Sequence, residues 1–320
     1  MLHLQLRVPR HRLPEVTELL QNDDTVTNVA VFADGYAKPP GALVLADVAR
    51  EGANPVVAAL RALDLHHSGS IMLSEPGTIL SDAARAAEAA APGEPDDGVV
   101  WDVVENRVRS ESVLSWSFCS FLTLATLIAG AGRLLDQPIL IVGAMVVGPE
   151  FSPVAAICLA LARPRLSLLP GAVRTLTVGF AIAVLVATPL WWLGHLTGLV
   201  SAEQAASGEL TSFIVKPDVW SLVIALLAGV AGVLSLTTSK SGPLVGVFIS
   251  VTTVPAVGTI ALCLGAGVWS EVGDAALQLG LNLLGMLVAG TVTLLVERVV
   301  WSRIQSSGKA GAWPRARALP

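Results

Sequence analysis

Charge is scarce in this 320-residue chain: Asp, Glu, Lys and Arg make up 14% of it, against 53% hydrophobic residues and a mean hydropathy of +0.68. Soluble domains carry roughly 25% charged residues, so the deficit excludes an ordinary soluble fold for the whole chain and points to a membrane protein. Cysteine is scarce too. Cys119, Cys158 and Cys263 lie inside apolar runs, with neither metal-ligand spacing nor a disulfide context, and read as small packing residues. No HExxH pattern or nucleophile–base pair is legible, so metal, cofactor and catalytic residues are not expected, and an intramembrane enzyme ranks behind the other readings. The net charge of -5 and the lack of a dense basic block argue against a nucleic-acid partner. MLHLQLRVPRHRLPEV interrupts its apolar residues with His3, Arg7, Arg10 and Arg12, which does not build the core of a cleaved signal, so a cytoplasmic amino terminus is expected.

What is present divides unevenly along the chain. Residues 1 to 110 have ordinary charge density, whereas 113 to 301 are long Leu/Val/Ala/Gly runs. In the first part HLQLRVP alternates like a half-buried strand, and RLPEVTELLQ follows with helical spacing of Leu13, Val16, Leu19 and Leu20. TNVAVFA and GALVLADVA read as strands joined by DGYAKPP. NPVVAALRALD reads as a helix with Asn54 at its N-cap and Pro55 at its first position, and GSIMLSE is a last strand. The order β-α-β-β-α-β predicts a ferredoxin-like α+β domain over residues 1–77, acting either as an assembly module or as a ligand-sensing regulator. His66 and His67 fall in a turn and read as solvated. Residues 78–112 form a helical linker: SDAARAAEAAA is a short helix, PGEPDDG a polar break, and VVWDVVENRVRSES carries Val100, Val103, Val104 and Val108 on one face, suited to lie along a membrane surface.

With about 20 apolar residues per crossing, the transmembrane domain 113–301 holds six expected spans: 113–135, 138–162, 168–199, 219–238, 243–268 and 272–301. Arg107, Arg109, Arg163, Arg165, Lys240, Arg298, Arg303 and Lys309 would lie inside, and only Arg133 and Lys216 outside, which places both termini in the cytoplasm of a bacterial inner-membrane protein. Six tryptophans, including Trp116, Trp191 and Trp269, fall near span ends, as indole rings prefer. Arg174 is expected to snorkel to the inner headgroups. The tail 302–320 is basic and reads as disordered along the membrane lipid.

LIAGAG at 127 compares with LLAGVAG at 226, and VGAMVVGPEFSPVAAI at 142 with VGVFISVTTVPAVG at 245. The spans thus fall into two repeats, 113–199 and 219–301, and three spans per repeat invert the second, as in many secondary transporters. Each repeat has a proline near the middle of its second span, Pro153 and Pro255. Proline forces unwinding, and the freed backbone must line a cavity or be buried in protein. Ser152 is expected to cap a half-helix begun by Pro153, with Thr252 or Thr253 serving Pro255. Two half-helix amino termini, each equivalent to roughly +0.5 charge, would then face one another at the midplane and suit an anion or carboxylate.

The expected binding residues are therefore Gly148, Pro149, Glu150, Ser152 and Pro153 from one break and Ser250, Thr252, Thr253 and Pro255 from the other. Glu150 stands where an exposed charge costs a few kcal/mol. It is read as a titratable gate, a proton carrier or a ligand for a coupling cation, against the plainer reading that it ties down a broken helix. Lys240 attracts anions or merely anchors the inner side. Asn282 fits an interhelical hydrogen bond better than a solute ligand. Gly280, Gly285 and Gly290 offer small faces compatible with a homo-oligomer.

The segments VGAMVVGPEFSPVAAI and KSGPLVGVFISVTTVPAVG resemble the paired signatures of a bacterial hydrophobic membrane family, domain of unknown function 389, in an actinobacterial-looking form. The resemblance covers most of 113–301 and implies no settled activity. The leading expectation is a transporter or channel for a small solute or ion; the other is a non-transporting membrane assembly or signalling protein with a ligand-sensing head.

Overall fold

A computed structural model describes residues 1–75, 79–93, 98–163, 165–208, 210–211, 218–238 and 253–306. The chain divides into two compact units, one built mainly on Met1–Val104 and the other mainly on residues 105–298.

In the first unit, strands β1 (Leu2–Val8), β2 (Val26–Ala37), β3 (Pro40–Val48) and β4 (Ser70–Ser74) form one antiparallel sheet in the order β2-β3-β1-β4. Helices α1 (Leu13–Gln21) and α2 (Ala53–Ala62) connect them in the order β-α-β-β-α-β. The period-2 pattern of β1 sends Leu2, Leu4, Leu6 and Val8 to one face, where they are fully buried with Val44 and Val48 of β3, Val16 and Leu20 of α1, and Leu60 of α2. Complete burial of each such side chain contributes about 1.5–3 kcal/mol, which is why the helices lie on this face.

Two local expectations are corrected. DGYAKPP is not all turn: β2 runs on through Asp34–Ala37, because Tyr36 and Ala37 pair with Gly41 and Pro40 of β3. Asn54 is not an N-cap. The helix starts at Ala53, and the Asn54 amide instead donates to the Val99 carbonyl at 2.6 Å and accepts from the Trp101 N–H at 3.2 Å.

The one-turn α3 (Leu65–Ser68) leads into β4, and α4 (Asp82–Ala90) is capped by Ser81, whose hydroxyl accepts from Ala84 N–H. His66 and His67 are exposed and, with exposed Asp64, bring ligand-type atoms within 4.8 Å of one another. In α5 (Trp101–Glu111) and the residue before it, part of the expected membrane-facing stripe is turned inward: Val100 and Val103 pack on the sheet core.

The second unit is helical. α6 (Trp116–Leu134), α9 (Leu169–Leu196), α11 (Val219–Thr237) and α13 (Trp269–Ser306) are each long and apolar enough to cross a membrane. A fifth candidate is a pair, α7 (Pro138–Val147) and α8 (Phe151–Ala162), bent by 56° at its break. The short α10 (Ala202–Ala206) is closed by a Ser201–Gln204 capping box. Of the expected span 243–268, the described part is the short apolar helix α12 (Thr253–Ala266).

α12 is wrapped by protein. Twelve of its residues are buried. Glycines set how closely it packs: a Cβ on Gly258 would lie 2.6 Å from Ala129 Cβ and 2.8 Å from Gly130 N on α6, and one on Gly265 would lie 2.6 Å from Trp191 Cβ on α9. Small residues permit this backbone approach where no hydrophobic force distinguishes helix from lipid. Gly285 and Gly290 of α13 likewise meet Ala225 and Cys158. A Cβ on Gly280 would meet nothing within 4 Å among the described residues.

Candidate functional site

The break between α7 and α8 follows from Gly148 and Pro149. A residue before proline is pushed into extended backbone, and Gly148 sits at φ -68°, ψ 129°. Pro149 has no N–H with which to continue the α7 ladder, so the last bond of that helix is Gly148 N–H to Ala144 O at 3.1 Å. This corrects the expectation that Pro153 makes the break. α8 starts at Phe151, which places Pro153 third in the helix, where no N–H is needed. Pro255 occupies the same third position in α12, as described.

Ser152 is not the cap either. Glu150 stands at the N-cap position, with no side-chain capping bond, and the Ser152 hydroxyl donates to Glu111 Oε2 at 3.0 Å. Glu111 closes α5, is about half exposed, and accepts from Arg107 Nε at 3.3 Å. Ser152 thereby joins the break to a hydrated carboxylate.

Glu150 is 5% exposed. Its Oε1 accepts a hydrogen bond from the Thr253 hydroxyl at 2.8 Å, and its Oε2 has no hydrogen-bond partner among the described residues. Among the described residues no ion pair reaches it. Thr253, itself fully buried, is the first residue of α12. The break between α7 and α8 therefore meets the first described turn of α12, and its carboxylate stands at the N-cap position of α8. Gly148 completes the contact, for a Cβ there would lie 2.3 Å from Glu150 Oε2 and 2.7 Å from Val254 Cγ2. At the start of α8, the positive helix end expected to face a solute anion carries an anion-forming group of the chain itself.

Of the expected site residues, the structure brings together Gly148, Pro149, Glu150, Thr253 and Pro255, with Ser152 and Pro153 on the adjoining turn. Asn282 is buried on α13, at 2% exposure. Ser250, Thr252 and Lys240 lie outside the described residues.

Residues 145–288 match the family model described as "Domain of unknown function (DUF389)". This stretch is a DUF389 domain. Both breaks lie inside it, so the Glu150–Thr253 bond is internal to the DUF389 domain. Uncharacterized protein MJ0678 of Methanocaldococcus jannaschii is 26% identical to the chain over 171 residues, which are 53% of this chain and 51% of that protein. The chain thus spans about half the length of the curated relative it matches. No solved structure matches the chain.

Sequence reasoning gave no structural role to a second polar assembly, at the far end of α6. Arg133 is 3% exposed, donates to Thr211 Oγ1 at 2.9 Å and reaches the carbonyls of Ala206 and Gly208. Asp136 accepts from the Leu210 and Thr211 amides and from the Thr211 hydroxyl. Partial desolvation works against the Asp136 charge, but these donors together with Arg133 outweigh it and hold the carboxyl below its ordinary pKa. Arg133 and Asp136 thus pin the segment after α10 to the end of α6. A charged residue closing an apolar run, GAGRLL, was the available signal.

Proposed function

We propose that the chain moves a small solute or ion across a bacterial inner membrane through a site at the two breaks. The observation that carries this reading is the buried Glu150–Thr253 pair, in which Oε2 has no hydrogen-bond partner among the described residues. In a bundle this apolar, an unsatisfied carboxylate oxygen is costly unless something visits it. With the start of α8 already facing a carboxylate, a cation, a proton or a solute donor group fits Oε2 better than an anion does. Ser152 and Glu111 continue the polar surface toward solvent.

In this reading the body has six spans in a 3+3 inverted repeat, of which α7–α8 and α12 are the corresponding broken second members. Their shared third-position prolines support the correspondence. The ferredoxin-like head and both termini face the cytoplasm. The open backbone at Gly280 leaves a close-packing face free for a second copy, in keeping with a homo-oligomer. The alternative, an assembly or signalling protein whose breaks serve packing alone, is favoured by the close fit around Gly148.

Flux measurements on proteoliposomes with a panel of cations, protons and anions test the choice. Glu150→Gln is expected to lower flux at least tenfold in a protein that still folds. Leak no greater than that of empty vesicles across the panel would reject transport and leave the alternative.

A further inference from the structure

A cavity of about 310 Å³ opens where α5 hands over to α6 and the chain turns into α9. Two guanidinium groups line it, Arg109 from the last turn of α5 and Arg174 from the second turn of α9. Ser112, Ser167 and Thr175 add hydroxyls. Thr175 is only 2% exposed, and among the described residues its hydroxyl has no hydrogen-bond partner. Its hydroxyl is thus available to a ligand atom in the cavity.

The charge here is strongly one-sided. The nearby carboxylate, Glu105, is shared by Arg109 at 3.2 Å and Arg165 at 3.5 Å, and Arg174 has no acidic partner among the described residues. Two guanidinium groups thus share one carboxylate and the third has none. The cavity also borders the start of the 28-residue α9, a dipole end that favours negative charge. Its remaining wall is apolar, with Val113 on the approach to α6 and Leu168 at the start of α9.

We infer that this cavity binds a phosphate oxyanion, and that the apolar wall suits it to an amphipathic ester, the headgroup of an anionic phospholipid; free phosphate is the other source of the same chemistry. Guanidinium forks pair bidentately with phosphate oxygens, and the hydroxyls donate to the oxygens that remain. Basic pockets at the ends of membrane helices are where such headgroups bind. The site is separate from the Glu150–Thr253 pair and does not rest on the transport reading.

The test uses the full-length chain in a neutral detergent. Native mass spectrometry titrates phosphatidylglycerol against phosphatidylcholine, and calorimetry titrates inorganic phosphate, for wild type, the double variant Arg109→Gln/Arg174→Gln, Thr175→Val, and Arg85→Gln on the other unit as a control. Phosphatidylglycerol is expected to bind at least tenfold more tightly than phosphatidylcholine, and the double variant to lose about tenfold of that affinity. Thr175→Val keeps both charges and loses less, while Arg85→Gln loses nothing. Saturable phosphate binding that disappears in the double variant, without preference between the lipids, would support the same site with free phosphate as its ligand. If wild type binds neither probe, or the double variant keeps whatever wild type binds, the inference is wrong. Both arginines are solvent-exposed, so their replacement leaves the fold in place.

Discussion

The Thr253 hydroxyl donates to the Glu150 carboxylate at 2.8 Å across 103 positions of sequence, and this bond joins the start of α8 to the first described turn of α12. Thr253→Val keeps the shape and removes the donor, leaving both carboxylate oxygens buried and unpaired. A loss of about 1–3 kcal/mol is expected, read as a lower unfolding temperature in detergent. Glu150→Gln removes the buried charge without restoring the bond, so the double variant should recover part of that loss. Equal unfolding temperatures for Thr253→Val and wild type would show that the bond is not made.

Gly143 within α7 and Gly148 just after it should respond oppositely to alanine. A Cβ at Gly148 meets Glu150 Oε2 at 2.3 Å and Val254 Cγ2 at 2.7 Å, and one at Gly143 meets nothing within 4 Å. Gly148→Ala is expected to cost about 1–3 kcal/mol through overpacking. Gly143→Ala should be neutral or stabilising by up to about 1 kcal/mol, since it lies within a helix. Thermal unfolding of the pair under identical conditions decides this, and a reversed ranking would contradict the packing at the break.

Pro149→Ala and Pro153→Ala should differ as well. Alanine at 149 supplies an N–H able to extend the α7 ladder, so the 56° bend relaxes and Glu150 moves away from Thr253. Alanine at 153 changes a first-turn position whose N–H has no helical partner. Side by side in a flux assay, the first variant should lose most of its activity and the second little. Loss from Pro153→Ala alone would return the break to the later proline.

The contact of Asp136 with Leu210 and Thr211 carries a pH dependence. Its folded pKa lies below the ordinary 3.8, so its contribution is complete above that value and is lost as pH falls below it through the depressed folded value. Hydrogen exchange at the Leu210 and Thr211 amides, corrected for intrinsic rates, should therefore be protected at pH 5 and lose protection in stronger acid. Asp136→Asn should show weakened protection already at pH 5. Protection that is independent of both pH and the substitution would mean that another group holds this segment.

Much of this was readable from local pattern. Leu2, Leu4, Leu6 and Val8 alternate, and the alternation alone turns them to one side of a strand. The apolar runs of α6, α9, α11 and α13 declare their length without reference to any neighbour. The location of the break was misread because two prolines four residues apart compete to end the same helix. Position relative to the helix start separates them, and that start is a property of the folded chain. Asn54 and Ser152 are of types that suit a cap, yet each finds a partner, Val99 with Trp101 or Glu111, that no short window contains.

The sequence by itself determined where the chain is apolar for long enough to span lipid, where its strands alternate, and that proline interrupts a helix within residues 148–153. These are effects of neighbours within a few residues, carried by hydropathy, pleat and the missing proline donor. Only the tertiary structure decided that Glu150 meets Thr253, that Arg133 and Asp136 hold the segment after α10, and that Gly258 rather than Gly280 is a point of close contact. Those pairings depend on which helix faces lie together, and packing of small residues over the whole bundle selects the faces.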